Sequence, residues 1–183
     1  MYLKDIADLQ FGFYDKPKTK GNVCYLQAKH FNEYGLFNGK VDEWINVMDK
    51  SKNHLLEDGD ILFVGKGMRN FAWKYKADIG KAIASSIFFV IKPKLELVDA
   101  DYLVTIFNSS KYQSFFQSLG VGSSIPSIRK NELEAVHVPV PPLLVQKKIA
   151  RLNELYQKEL RLTGKLIEEK NKLFQAVIND ILK

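Results

Sequence analysis

Toward the C-terminus one series of positions, Ile149, Asn153, Tyr156, Leu160, Thr163, Ile167, Lys170, Phe174, Val177 and Ile181, is spaced by a strict alternation of four residues and three. An average step of 3.5 residues is the heptad period of a left-handed coiled coil, not the 3.6 of a helix lying on a globular surface. Seven of the ten positions are apolar, and between Leu144 and Leu182 Gly164 is the only glycine and there is no proline. At the rise of an α-helix this stretch reaches about 57 Å, further than a domain of this size covers by itself. The helix therefore needs a partner. Asn153, Thr163 and Lys170 weaken the seam's packing and are suited to fixing register or orientation. Leu152, Leu155, Leu166 and Leu173 widen the apolar stripe, which leaves a larger bundle open; folding back on the chain's own domain is the competing arrangement.

Upstream the pattern changes to short apolar runs cut by turns. Residues 22–28 (NVCYLQA) and 61–65 (ILFVG) have the alternation and the β-branched and aromatic content of strands. The turn Glu57-Asp58-Gly59-Asp60 precedes the second of them. Residues 81–93 (KAIASSIFFVIKP) are expected to form one buried strand closed by Pro93. Tyr102, Leu103, Ile106 and Phe107 follow at helical spacing behind Asp99, a natural N-cap, and residues 111–119 form a second helix ending at the small-residue loop Gly120–Ser124. Residues 133–142 alternate around Val136, Val138 and Val140, and their prolines suggest an edge strand leaving the domain at Pro141-Pro142. The expected fold is α+β: a mixed, β-rich domain over residues 1–142, then a dimerising coiled-coil helix over 143–183.

Chemistry is sparse. His30, His54 and His137 stand far apart without a recognisable nucleophile or base beside them, and Gly65-Lys66-Gly67 lacks the downstream Gly-Lys-Ser/Thr of a phosphate loop. No metal-ligand spacing surrounds the single Cys24, which reads as a small core residue in a reducing, cytoplasmic setting. No apolar run of membrane-spanning length is present, and the first residues lack the apolar core of a secretory signal. The expectation is a non-catalytic binding protein with no metal and no cofactor of its own.

The chain carries 27 Lys and Arg against 21 Asp and Glu, a net charge of +6. That excess is modest, and only +2 of it belongs to residues 1–143, with 18 basic and 16 acidic groups. Binding to a polyanion must therefore come from local patches. Two are visible: Lys16, Lys18, Lys20 and Lys29, and Lys66, Arg69, Lys74 and Lys76 with Lys81 beyond. The second mixes cations with Asn70 and aromatics, a combination suited to phosphate neutralisation alongside base-edge contacts. Gln10, Gln27 and Asn70 have the donor–acceptor pair that matches adenine, and Arg69 the fork that matches guanine. A solvated surface hairpin is the alternative reading.

The order of blocks GDILFVGKG, KAIASSIFFVIKP, a helix ending near Leu119, and GSSIPSIRKNELEAVHVPVPPLLVQKKI resembles the DNA specificity subunit of type I restriction-modification systems. Its most telling part is the extended Pro-Pro segment followed by Gln146-Lys147-Lys148-Ile149. Leu144 and Val145 stand where such proteins commonly carry acidic residues. The usual subunit has two recognition domains and two long antiparallel helices, so the resemblance implies a half-length unit whose helix pairs with a second copy. It implies a bipartite, palindromic double-stranded DNA target. It further implies partnership with separate methyltransferase subunits, which bind S-adenosylmethionine, and with a motor-nuclease subunit where one is present. Carried onto this chain, the recognition surface comprises Lys16, Lys18, Lys20, Gln27, Lys29, Lys66, Arg69, Asn70, Lys74, Lys76, Ser123, Ser124 and Arg129. A stand-alone dimeric DNA-binding regulator, or a decoy of a full-length specificity subunit, is the alternative function.

Overall fold

Strand residues here alternate between two apolar cores, and this alternation fixes the layering. The computed structural model describes residues 1–32, 35–119 and 126–182. After a short helix α1 (Leu3–Ile6), strands β1 (Ala7–Phe11), β4 (Ile61–Val64), β5 (Ala72–Lys74) and β7 (Phe88–Pro93) form an antiparallel sheet in the order β1-β7-β4-β5. Ile61, Phe63, Phe89 and Ile91 point to one core, shared with helices α2 (Ala100–Phe107), α3 (Ser110–Leu119) and α4 (Lys130–Glu134). Leu62, Val64, Phe88 and Val90 point the other way, into a second core. A central strand buried on both faces reads as a continuous apolar run because of this double duty.

The second core is closed by a smaller sheet, β3 (Trp44–Ile45), β2 (Val23–Leu26) and β6 (Ala82–Ala84), in which β2 and β6 are parallel. Cys24, Leu26, Ala82 and Ala84 face it, joined by an aromatic cluster in which Phe31 meets Phe71, Trp73 and Phe88 at centroid distances of 5.1, 5.1 and 5.8 Å. Val23, Tyr25, Ile45 and Ile83 cover the far side with a third, small cluster. The molecule is thus helices, large sheet and small sheet in sequence, with the last helix projecting from it.

Several expectations change. Residues 81–93 are two strands in two different sheets, β6 and β7, separated by a turn at Ser86-Ile87; hydropathy cannot distinguish one long buried strand from two short ones that hand the chain between layers. Residues 133–142 are not an edge strand. α4 takes up the start, and only 136–138 pairs, with Leu3 N–H donating to Val136 O at 2.9 Å and Val138 N–H to Met1 O at 2.8 Å. Pro139, Pro141 and Pro142 have no N–H with which to extend that ladder. The N-terminal α1 and β1 were not anticipated as elements. The turn before β4 has the expected form, with Gly59 at φ +95° and the Asp60 carboxylate accepting from Glu57 N–H at 2.9 Å. Asp99 caps α2 by accepting from Tyr102 N–H at 2.9 Å.

The long helix α5 runs over Leu143–Ile181. Gln146 pins its start: the fully buried side-chain amide accepts from Asp99 N–H at 2.8 Å and donates to Leu97 O at 3.0 Å and Pro141 O at 2.7 Å. Ile149 and Ala150 pack on the helical side of the domain core. The first seam position is therefore used within the chain, and Asn153 is likewise half-buried. Beyond them the seam is bare: Tyr156, Leu160, Thr163, Ile167, Phe174, Val177 and Ile181 are all exposed. Among the described residues no helix is long and apolar enough to cross a membrane.

Candidate nucleic-acid interface

The β4–β5 hairpin divides the second basic patch between two ends. Its loop, residues 65–71, is tied down on three sides. Gly67 N–H donates to Pro126 O at 2.9 Å and Ile128 N–H to Gly65 O at 2.8 Å, so that Lys66 and Ser127 form an antiparallel bridge. The Asn70 amide donates to Val64 O at 2.8 Å, closing the loop on itself. At its base Gly65 has no room for a side chain, because a Cβ there would meet the Phe89 ring at 2.3 Å. That ring also meets Phe11, at a centroid distance of 5.0 Å.

This bracing exposes Lys66 and Arg69 on the loop and brings the segment ending at exposed Arg129 alongside. None of the three side chains forms an ion pair among the described residues, although the backbone N–H of Arg129 donates to the Glu132 carboxylate at 2.7 Å. Ser123 and Ser124 lie outside the described residues. Asn70 belongs to the loop's internal scaffold, with one amide hydrogen already committed.

At the opposite end of the hairpin, Lys74 is ion-paired with Asp101 of α2. Asn108, at the end of α2, clamps the same strand: its side chain accepts from Ala72 N–H and donates to Ala72 O, both at 2.8 Å. Lys76 acts on Glu154 of α5, whose carboxyl is held below its ordinary value first by Arg151 and in smaller part by Lys76 and Lys158. Trp73, Lys74 and Lys76 thus face a cleft of about 920 Å³ that Arg161 of α5 also lines. Cations adjacent along the sequence here serve two different surfaces.

The first patch divides as well. Lys16, Lys18 and Lys20 are exposed in the segment that runs along the edge of the small sheet, where Lys18 and Trp44 exchange backbone hydrogen bonds of 2.8 and 2.9 Å. Lys29 instead bridges Glu43 at 2.9 Å and Asp42 at 3.1 Å, and those two carboxylates raise its pKa in that order. Asp42 also accepts from buried His30 at 2.9 Å; the His30 bond first, and Lys29 second, bring its carboxyl down to about 2. Gln27 is half-buried behind β2, and its backbone N–H donates to His30 Nδ1 at 3.0 Å.

Two features escaped the sequence reading. Met68, at 80% exposure, stands among the loop cations, and Phe11 at the end of β1 and Tyr14 beyond it are exposed aromatics. Apolar residues in a strand or a turn give no sequence signal of exposure. The acidic partners of Lys29 and Lys74 were also invisible, since they lie 13 to 27 positions away in sequence.

A family model described as a type I restriction modification DNA specificity domain matches residues 1–171. The type I restriction enzyme MjaVIII specificity subunit of Methanocaldococcus jannaschii is 32% identical over 167 residues, covering 90% of this chain and 36% of that protein. Among solved structures, the type I S subunit from M. genitalium superposes with a TM-score of 0.62 at 15% identity, over 94% of this chain and 42% of that one. The HsdS subunit from Thermoanaerobacter tengcongensis gives 0.59 at 16% identity, over 88% and 37%. At these identities the structural likeness concerns the fold. The chain spans well under half the length of each of these relatives.

Proposed function

The chain belongs to the type I restriction-modification DNA specificity domain family, and on that premise we propose that it reads double-stranded DNA and carries no catalytic step. The observation that carries this reading is the braced loop at residues 65–71, which holds Lys66 and Arg69 beside Arg129, three cations whose side chains form no ion pair among the described residues. A loop fixed before binding loses little conformational entropy on meeting a duplex. Lys16, Lys18 and Lys20 add phosphate contacts from the small sheet's edge, and Gln27, Ser123 and Ser124 complete the proposed surface. Lys29, Lys74 and Asn70, already engaged within the protein, have supporting roles in it.

In this reading residues 1–142 act as a recognition domain and 143–183 as a spacer helix. Two copies pair along the bare seam from Tyr156 to Ile181 and address the two halves of a bipartite, palindromic target. The complex directs separate methyltransferase subunits, which bring S-adenosylmethionine, and a motor-nuclease subunit where present. The exposure of all eight seam positions from Tyr156 to Ile181, six of them apolar, supports pairing, because an unpartnered apolar stripe of this length is unfavourable in water.

Fluorescence anisotropy on duplex DNA across a salt series tests the recognition surface. Each lost phosphate contact lowers the slope of log K against log salt by about 0.9. Lys66→Ala and Arg69→Ala together are expected to flatten the slope and weaken binding, while Lys29→Ala leaves the slope unchanged. Equal slopes for wild type and the double variant contradict the assignment of this loop.

A further inference from the structure

Met68 is 80% exposed, at the turn of a loop whose neighbouring side chains Lys66 and Arg69 are cations. The protein's own packing does not use it: Met68 belongs to none of the three apolar clusters. In a purely electrostatic contact an apolar side chain between two cations gains nothing, since the phosphates it would meet are hydrated and charged. It gains free energy only where the bound surface offers apolar area of its own, and in a duplex that area is the thymine methyl groups of the major groove or the faces of stacked bases, of which a rigid, projecting tip suits the second.

Entering a base stack requires a rigid tool. Separating one base step costs free energy, and a loosely held loop relieves that cost by retreating. This loop cannot readily retreat. Gly67 N–H is bonded to Pro126 O, Gly65 O accepts from Ile128 N–H, and the Asn70 amide locks onto Val64 O. Gly67 itself is at φ +115°, a conformation natural to glycine, so the turn that presents Met68 is built without strain. Lys66 and Arg69 flank the tip, in position to hold the backbone on either side of an opened step.

We propose that Met68 is an apolar wedge that enters the duplex at a deformable base step, held there by Lys66 and Arg69, and so makes the chain select for that step without hydrogen bonds to its bases. Pyrimidine–purine steps unstack most easily and are the expected preference. This inference rests on the reading of the chain as a DNA-recognition protein and adds to it a mode of readout.

The test passes the full chain over a randomised duplex pool and sequences what is retained, for wild type, Met68→Ala and Lys66→Ala. Wild type is expected to enrich a motif that contains a pyrimidine–purine step. Met68→Ala, a change at an exposed position that leaves the fold intact, should keep the rest of the motif, lose the preference at that step and bind the wild-type site about tenfold more weakly. Lys66→Ala should weaken binding to all sequences and keep the step. With 2-aminopurine at the step, fluorescence should rise on binding of wild type and not of Met68→Ala. If Met68→Ala enriches the same step as wild type, the wedge is wrong while recognition stands. If wild type enriches no motif, the recognition reading falls and takes the wedge with it.

Discussion

Gln146 shows how much one side chain can join. Its amide bonds to the residue that opens α2, to the turn before it and to the Pro-Pro exit, so three segments meet at one fully buried group. Gln146→Leu keeps the approximate volume but leaves an N–H and two carbonyls without partners, a cost of about 2–4 kcal/mol. Urea denaturation should show the midpoint lowered, and an unchanged midpoint would mean that water replaces the amide. Asp42 offers a second measurement. Its carboxyl is depressed to about 2 by His30 and Lys29, whereas an unfolded aspartate titrates near 3.9. A depressed carboxyl stabilises the fold above the unfolded value and loses that contribution as pH falls toward the folded one. Wild-type stability should therefore decline between about pH 4 and pH 2, with a shallower decline in Asp42→Asn. Identical acid profiles would show that the carboxylate is solvated as in the unfolded chain. Neither role was legible in the sequence. Gln146 stood out through the resemblance alone, and Asp42 attracted no notice because its partners are set by the path of the chain between sheets.

At the scale of elements, what could be read depended on whether a pattern had one structural solution. The heptad alternation had one: residues 143–181 form a continuous helix with its seam bare after the first turns. Ile149 also packs against the chain's own helical core, a contact that period alone does not reveal. The run 81–93 had two solutions, and the chain takes the one that crosses between layers. In the dimer proposed above, Ile167→Asp places a carboxylate in the middle of the seam, where burial of an unpaired charge is unfavourable. Light scattering is expected to report a monomer for this variant and a dimer for wild type. A variant that remains a dimer would remove the seam from the interface. Ile167 is exposed within one chain, so the substitution leaves the recognition domain's stability unaffected.

Across the whole molecule, charge is distributed unevenly despite the small excess on the globular part. Lys29 and Lys74 are ion-paired with acids, whereas the side chains of Lys66, Arg69 and Arg129 form no ion pair among the described residues. The sequence showed where cations cluster; it did not show which are cancelled, because cancellation depends on residues brought together by the fold. It also did not show that one hairpin serves two surfaces, its tip braced by 126–128 and its far end turned to α5. The proposed arrangement has a direct consequence: identical recognition domains related by a two-fold axis must specify a palindrome interrupted by a spacer. The decisive measurement is a base-resolution methylome of cells expressing this chain together with a type I methyltransferase from the same genome, against cells expressing the methyltransferase alone. A new modified motif that is bipartite and palindromic is the expected result. An asymmetric motif would require a second, different recognition domain and contradict the homodimer, and the absence of any new motif although the complex forms would contradict the role in directing methylation and favour a regulator or decoy.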